Sequence, residues 1–403
     1  MSLEWESKSF SDLVDIIGGG TPKTSIDEYW NGNIPWISIK DFNSGQKYVL
    51  STEKTITELG LNNSSTKLLK KNDIIISARG TVGEVAMIKY EMAFNQSCYG
   101  LRVHDSLDKE FVYYLLRYNI YKLKNMVHGA VFDTITTNTF EDIIVNVPPF
   151  EYQEKISYLL SNIDKLIEVK TQENKNLFSI GRLIFKELIL NEYSNNSHSN
   201  WVLVPFNEIS TVQNGFAFKS NDYCDVGCNM IRTRDITSEG FVSNEDLINL
   251  PQSFYESKKY KNYKFERLDT ITVMVGASIG KMGLITDINI PSLQNQNMWR
   301  FRSKLKNISP AFVYYYVEKI NKEIINMATG SARSFYRKNL FLDYECIMPS
   351  NDYLNGINHL FNSLFDKISE NVAEIDKLTK LRDTLLPKLM SGEIDVSKIN
   401  CDI

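Results

Sequence analysis

The stretch Asn72-Asp-Ile-Ile-Ile-Ser-Ala-Arg-Gly80 recurs as Leu268-Asp-Thr-Ile-Thr-Val-Met-Val-Gly276. Each copy is an aspartate followed by β-branched and apolar residues and closed by a glycine, the pattern of a buried strand running into a tight turn. The turns are Gly80-Thr-Val-Gly83 and Gly276-Ala-Ser-Ile-Gly280, and an apolar stretch follows each. Both copies therefore read as strand, tight loop, strand. Outward from this pair the match continues in order. Trp5, Phe10 and Gly19 match Trp201, Phe206 and Gly215, and Ile37, Lys40 and Asp41 match Ile231, Arg234 and Asp235. Asn95-Gln96 matches Asn295-Gln296, and Phe111-Val-Tyr-Tyr114 matches Phe312-Val-Tyr-Tyr315. Gly129, Asn138, Phe140 and Pro148 match Gly330, Asn339, Phe341 and Pro349. The chain is one design used twice.

After each proline the apolar period changes from two to about three and a half. Ile156, Leu159, Ile163, Leu166, Leu177, Ile180, Leu183 and Ile184 read as one helical face. Ile357, Leu360, Leu364, Ile368, Val372, Ile375, Leu378, Leu381 and Leu385 read as another. Each segment makes a rod on the order of 60 Å at 1.5 Å per residue. A lone helix would leave its stripe in water, so the two are expected to pair as an antiparallel coiled coil holding the globular units at opposite ends. The expected fold class is α+β: two β-rich units in tandem pseudo-repeat, each followed by a long helix. The boundaries read as 1–149 and 201–349 for the β-rich units and 150–193 and 350–393 for the helices. A polar linker at 194–200 and a tail at 394–403 complete the chain.

Composition narrows the function. The formal net charge is −4, from 45 Lys and Arg against 49 Asp and Glu, so positive charge for any nucleic acid must be concentrated in loops or supplied by partners. Five scattered cysteines form no disulfide framework, and Cys224 and Cys228 lack the companion ligands of a metal clip. Met1-Ser-Leu-Glu-Trp-Glu-Ser has no signal-peptide pattern and no apolar run is long enough to span a bilayer, so the expectation is a cytoplasmic protein without membrane contact. Gly18-Gly-Gly-Thr-Pro-Lys23 lacks the Walker A pattern. In Asn146-Val-Pro-Pro-Phe150 a valine interrupts the motif of amino-methyltransferases, and no glycine-rich turn for a methyl donor precedes it. Neither clustered carboxylates nor a Ser, His and Asp constellation is discernible, and His104, His128, His198 and His359 share no motif. No catalysis is expected of this chain.

Two β-rich units, each followed by a long helix, resemble the specificity subunits of type I restriction-modification systems. The stretches that carry the resemblance are Pro148-Pro-Phe-Glu-Tyr-Gln-Glu-Lys-Ile156 and Leu381-Arg-Asp-Thr-Leu-Leu-Pro-Lys-Leu-Met-Ser-Gly-Glu-Ile394. The second copy departs from the first at Pro349-Ser-Asn-Asp-Tyr353, where the glutamine is missing. The resemblance implies two target recognition domains that read a split, gapped site in double-stranded DNA. It also implies helices that act as spacer and as docking surface for two adenine methyltransferase subunits, with nuclease or translocase subunits joining through them. No cofactor is implied for this chain: S-adenosylmethionine would belong to the methyltransferase, ATP and magnesium to a nuclease subunit. A scaffold whose two units bind proteins instead of DNA is the alternative.

Base readout calls for Arg, Lys, Asn or Gln on loops, while hydroxyls and backbone amides hold phosphates. The candidates in the first half are Lys23, Lys40, Arg79, Thr81, Gln96, Tyr99, Thr136, Thr137 and Asn138. In the second half they are Lys219, Arg232, Arg234, Ser278, Lys281, Gln296, Arg333, Ser334, Tyr336, Arg337, Lys338 and Asn339. Gly330-Ser-Ala-Arg-Ser-Phe-Tyr-Arg-Lys-Asn339 joins three cations and two aromatics with no acid, against the bland reading of a solvated basic loop. The glycine turns admit either a positive-φ role alone or close approach to a phosphate as well. Asn95-Gln96 and Asn295-Gln296 could each cap a strand end or contact a base.

Overall fold

The computed structural model describes residues 5–42, 46–128, 134–195, 200–327 and 336–399. Two compact units emerge, Met1–Glu168 with Leu378–Ile403 and Val169–Lys377, so each takes part of both long helices.

In the first unit, a five-stranded sheet runs in spatial order Val14–Gly18, Cys98–Val103, Ile74–Ser77, Val85–Ile88, Tyr48–Val49. In the second, four strands follow the same order: Ser210–Asn214, Met298–Ser303, Thr270–Val273, Met282–Leu284. The recurring β-branched runs are the Ile74–Ser77 and Thr270–Val273 strands, and every residue of both is buried. Strands covered on both faces carry such continuous β-branched runs. A second sheet also recurs. Trp30–Ile37 lies parallel to Met92–Phe94 in the first unit, as Cys228–Ile231 lies parallel to Ser292–Gln294 in the second. The predicted turns are present, with Gly80 at φ 77° and Gly276 at φ 93°, a region that favours glycine.

The repeated Phe-Val-Tyr-Tyr motif lies on the helices Lys109–His128 and Pro310–Met327, buried in the two largest cores. It ties each unit to the first long helix. The Tyr114 hydroxyl donates to Asp164, and that of Tyr315 donates to the Phe178 carbonyl at 3.2 Å.

The first long helix spans Phe150–Phe185 and continues through a π-helical turn, Lys186–Asn191, to Ser194. The second spans Asn351–Met390, and Gly392, at φ 76°, follows it. Contacts inside each unit run antiparallel. In the first, Arg382 Nη1 donates to Asp164 Oδ1 at 2.9 Å. In the second, Asn371 Nδ2 donates to Asn174 Oδ1 at 3.0 Å, and Lys170 pairs with Glu374 at 3.0 Å. The seam differs from the predicted apolar stripe. Leu166, Ile180, Leu183, Leu360 and Leu381 are exposed, while Gln153, Ser157, Asp164, Asn174, Asn371 and Arg382 are buried. Of the predicted face, Ile156, Ile357, Ile368 and Val372 are buried, and two polar pairs, Arg382 with Asp164 and Asn371 with Asn174, join the helices beside them. The segment after the second helix is no free tail. Val396 is buried in the first unit's core and the Ser397 carbonyl accepts from Lys155 Nζ at 3.1 Å.

Candidate nucleic-acid interface

In the first unit, backbone hydrogen bonds gather the candidate loops at one rim of the sheets. Ala78 N–H donates to the Ser97 carbonyl at 2.8 Å and Ile135 N–H to the Ala78 carbonyl at 3.0 Å. The Arg79, Gln96 and Thr136 loops are thereby neighbours. Asn95 N–H donates to the Ile37 carbonyl at 3.0 Å, which adds the Ser38 to Lys40 loop. Thr21 hydrogen-bonds Gln96 and brings in the loop of Lys23. Gly19 is required there, because a Cβ would lie 2.0 Å from the Asn95 carbonyl oxygen. Lys23, Lys40, Arg79, Thr81, Gln96, Thr136, Thr137 and Asn138 are all exposed. A cleft of about 310 Å³ opens among them, lined by Trp36, Ser38, Ile39, Lys40, Glu53, Lys54 and Asn95. Lys40 stands 4.0 Å from Glu53, and Lys54 lies over the Trp30 ring at 5.5 Å. Tyr99 is half-buried and meets Phe140 edge-on at 6.0 Å, so its ring serves the core.

The second unit repeats this rim. Met274 N–H donates to the Asn297 carbonyl at 3.0 Å and Asn295 N–H to the Ile231 carbonyl at 3.1 Å. Lys219, Arg234, Ser278, Gln296, Arg337 and Asn339 are exposed, and Lys338 is half-buried beside them in sequence. Arg333 and Ser334 lie outside the described residues, as does most of the basic stretch that contains them.

Three candidates face inward and are corrected. Arg232 folds back on Asp235 at 2.7 Å and donates to the Asp246 carbonyl at 2.9 Å, which occupies its guanidinium. Lys281 gives its ammonium to the Ile236 carbonyl. Tyr336 stacks on Trp299 at 5.2 Å, and its hydroxyl donates to Asn321 Oδ1 at 2.6 Å. Burial pushes this phenol up to about 12. For the paired asparagines the capping role is visible: Asn95 Oδ1 accepts from Ser97 N–H at 3.1 Å and Asn295 Oδ1 from Gln296 N–H at 2.8 Å. The neighbouring glutamines are the exposed amides.

A cationic segment was missed. Lys258-Lys-Tyr-Lys-Asn-Tyr-Lys264 holds four lysines and two tyrosines without an acid, and its composition was visible throughout. Among the described residues, no cluster of three or more His, Cys, Asp or Glu could hold a metal, and no helix is long and apolar enough to cross a membrane.

The family model described as the type I restriction modification DNA specificity domain matches residues 2–178 and again 198–352. The type I restriction enzyme MjaIX specificity subunit of Methanocaldococcus jannaschii is 27% identical over 414 residues, covering 98% of this chain and 95% of that protein. The EcoR124I/EcoR124II specificity subunit of Escherichia coli is 30% identical over 178 residues, covering 42% of this chain and 43% of its own. The crystal structure of the type I restriction-modification S subunit from M. genitalium has the same fold over 96% of both chains, with a TM-score of 0.55 and 17% identity. Matched twice by one model and along almost its whole length by a relative of that kind, the chain belongs to the specificity subunits of type I restriction-modification systems.

Proposed function

We propose that this chain reads a gapped, bipartite DNA target, one half-site per β-rich unit, and performs no chemistry itself. Two adenine methyltransferase subunits dock on it, nuclease or translocase subunits join through them, and methylation or restriction is directed to the site so read. S-adenosylmethionine, ATP and magnesium belong to those partners. The observation that carries this reading is the duplicated rim: equivalent loops in both units expose cations and carboxamides, the groups that pair with base edges and phosphates. Because the rims differ in sequence, the half-sites differ too, and the target is not a palindrome.

The test is co-expression with the cognate adenine methyltransferase in a methylation-free host, followed by single-molecule mapping of modified bases. The expected result is one gapped motif of two unlike half-sites, modified on both strands and lost without this chain. An unmodified genome, despite a soluble complex with an intact methyltransferase, would overturn the reading in favour of a protein-binding scaffold.

A further inference from the structure

We propose that segment 258–264 of the second unit is a phosphate clamp: exposed ammonium groups on a fixed aromatic platform that grip the DNA backbone beside the second half-site. This rests on the reading of the chain as a DNA-recognition subunit and adds to it the element that supplies sequence-independent affinity.

The segment is held tightly from within. Ser257 caps the 3-10 helix Lys258–Tyr263, its hydroxyl accepting from Lys259 N–H at 3.2 Å. Tyr260 is buried, stacked on Phe254 with ring centres 4.9 Å apart and edge-on to Phe216 at 5.2 Å. The buried Arg300 donates to the carbonyls of Asn262 at 3.1 Å and Lys264 at 2.7 Å, and Arg302 donates to the latter at 3.0 Å. The internal aromatics and arginines thus fix the backbone, and ordering it on DNA costs little.

The charges point the other way. Lys258, Lys259 and Lys261 are exposed, and between Glu256 and Glu266 the sequence has no carboxylate. Lys259 lies 4.9 Å from the centre of the Tyr260 ring, a contact that leaves its ammonium able to meet an anion. The platform also adjoins the rim. Phe216 bridges to Asn295, the residue before exposed Gln296, and Gly215 touches the same backbone so closely that a Cβ would lie 1.7 Å from the Asn295 oxygen. The corresponding place in the first unit, between strands Lys54–Ile56 and Leu68–Leu69, holds the helix Glu58–Asn62 and a single lysine, Lys67, where the second unit has four.

The experiment uses the full chain in complex with its methyltransferase, and measures Kd for a duplex bearing the mapped motif and for a scrambled duplex across a KCl series. The variants are the triple substitutions Lys258→Ala/Lys259→Ala/Lys261→Ala and Lys258→Arg/Lys259→Arg/Lys261→Arg. With about 0.9 counterions released per phosphate contact, the alanine triple should lower the slope of log K against log salt by about 2 to 3. It should weaken both duplexes roughly 10- to 100-fold near physiological salt, and the arginine triple should restore both. An unchanged slope, loss for the cognate duplex alone, or failure of arginine to restore binding overturns the clamp. A wild-type complex that does not discriminate the two duplexes overturns instead the reading on which it rests.

Discussion

Arg382 and Asp164 meet in the helix seam of the first unit with side chains 9% and 7% exposed. Asp164 accepts from Arg382 on one oxygen and from the Tyr114 hydroxyl on the other. Burial opposes the charge on Arg382, yet Asp383 and Asp164 together hold its pKa above the ordinary arginine value. Arg382→Leu removes the cation and leaves a buried carboxylate with one hydrogen bond. Breaking a buried pair from one side costs 3 to 5 kcal/mol in general, and the surviving Tyr114 bond places this case at about 3 kcal/mol. For a unit of this size that corresponds to a fall in Tm of roughly 6 to 12 °C. Asp164→Leu/Arg382→Leu removes both charges; its remaining costs are the orphaned Tyr114 hydroxyl, on the order of 1 kcal/mol, and the lost half-exposed pair with Asp383, about 0.5 kcal/mol, offset by new apolar contact. Differential scanning calorimetry of wild type, both single variants and the double variant closes the cycle. If Arg382→Leu shifts Tm by less than about 1 °C, or if the double variant is as unstable as the single, the pair is not the buried, mutually dependent couple described here.

Other consequences are more local. Tyr336→Phe should cost about 1 kcal/mol through the lost hydrogen bond to Asn321 and leave DNA affinity unchanged; a selective loss of the second half-site would return Tyr336 to the interface. Gly215→Ala forces a Cβ to within 1.7 Å of the Asn295 oxygen, so it should destabilise by about 1 to 3 kcal/mol and impair the second half-site more than the first in competition binding. Gly356→Ala, inside the second long helix with nothing within 4 Å, should stabilise by about 0.5 to 1 kcal/mol in the same melts. Cys98, Cys228 and Cys346 are buried, and burial together with Asp41 pushes the Cys98 thiol up to about 12. In a Cys401→Ser background a thiol reagent at pH 8 should therefore modify half-buried Cys224 first, with the other three reacting only on unfolding.

The duplicated fold was legible because its determinants are local. A β-branched run ending in a turn glycine reads the same on paper and in space, and a second copy removes the ambiguity that one copy leaves. The direction of a side chain is not local. Arg232 and Arg234 lie two residues apart, yet the first turns in to Asp235 and the second stays 69% exposed. Lys281 is held by a carbonyl 45 residues away and Arg382 by a carboxylate 218 residues away, so neither partner is visible from its own segment. Tyr336 misled for a related reason: cationic neighbours in sequence say nothing of the Trp299 face on which its ring stacks. The oversight at 258–264 has a different cause. Its four lysines are as plain as those of any loop, but the first half has a single lysine, Lys67, between the corresponding strands, and a match built on what the halves share passes over what one of them has in greater number. On the proposed reading, in which the two halves share a scaffold and read unlike half-sites, specificity resides in the unmatched residues. The repeat finds the frame, and the departures from the repeat are where the two half-sites should be sought.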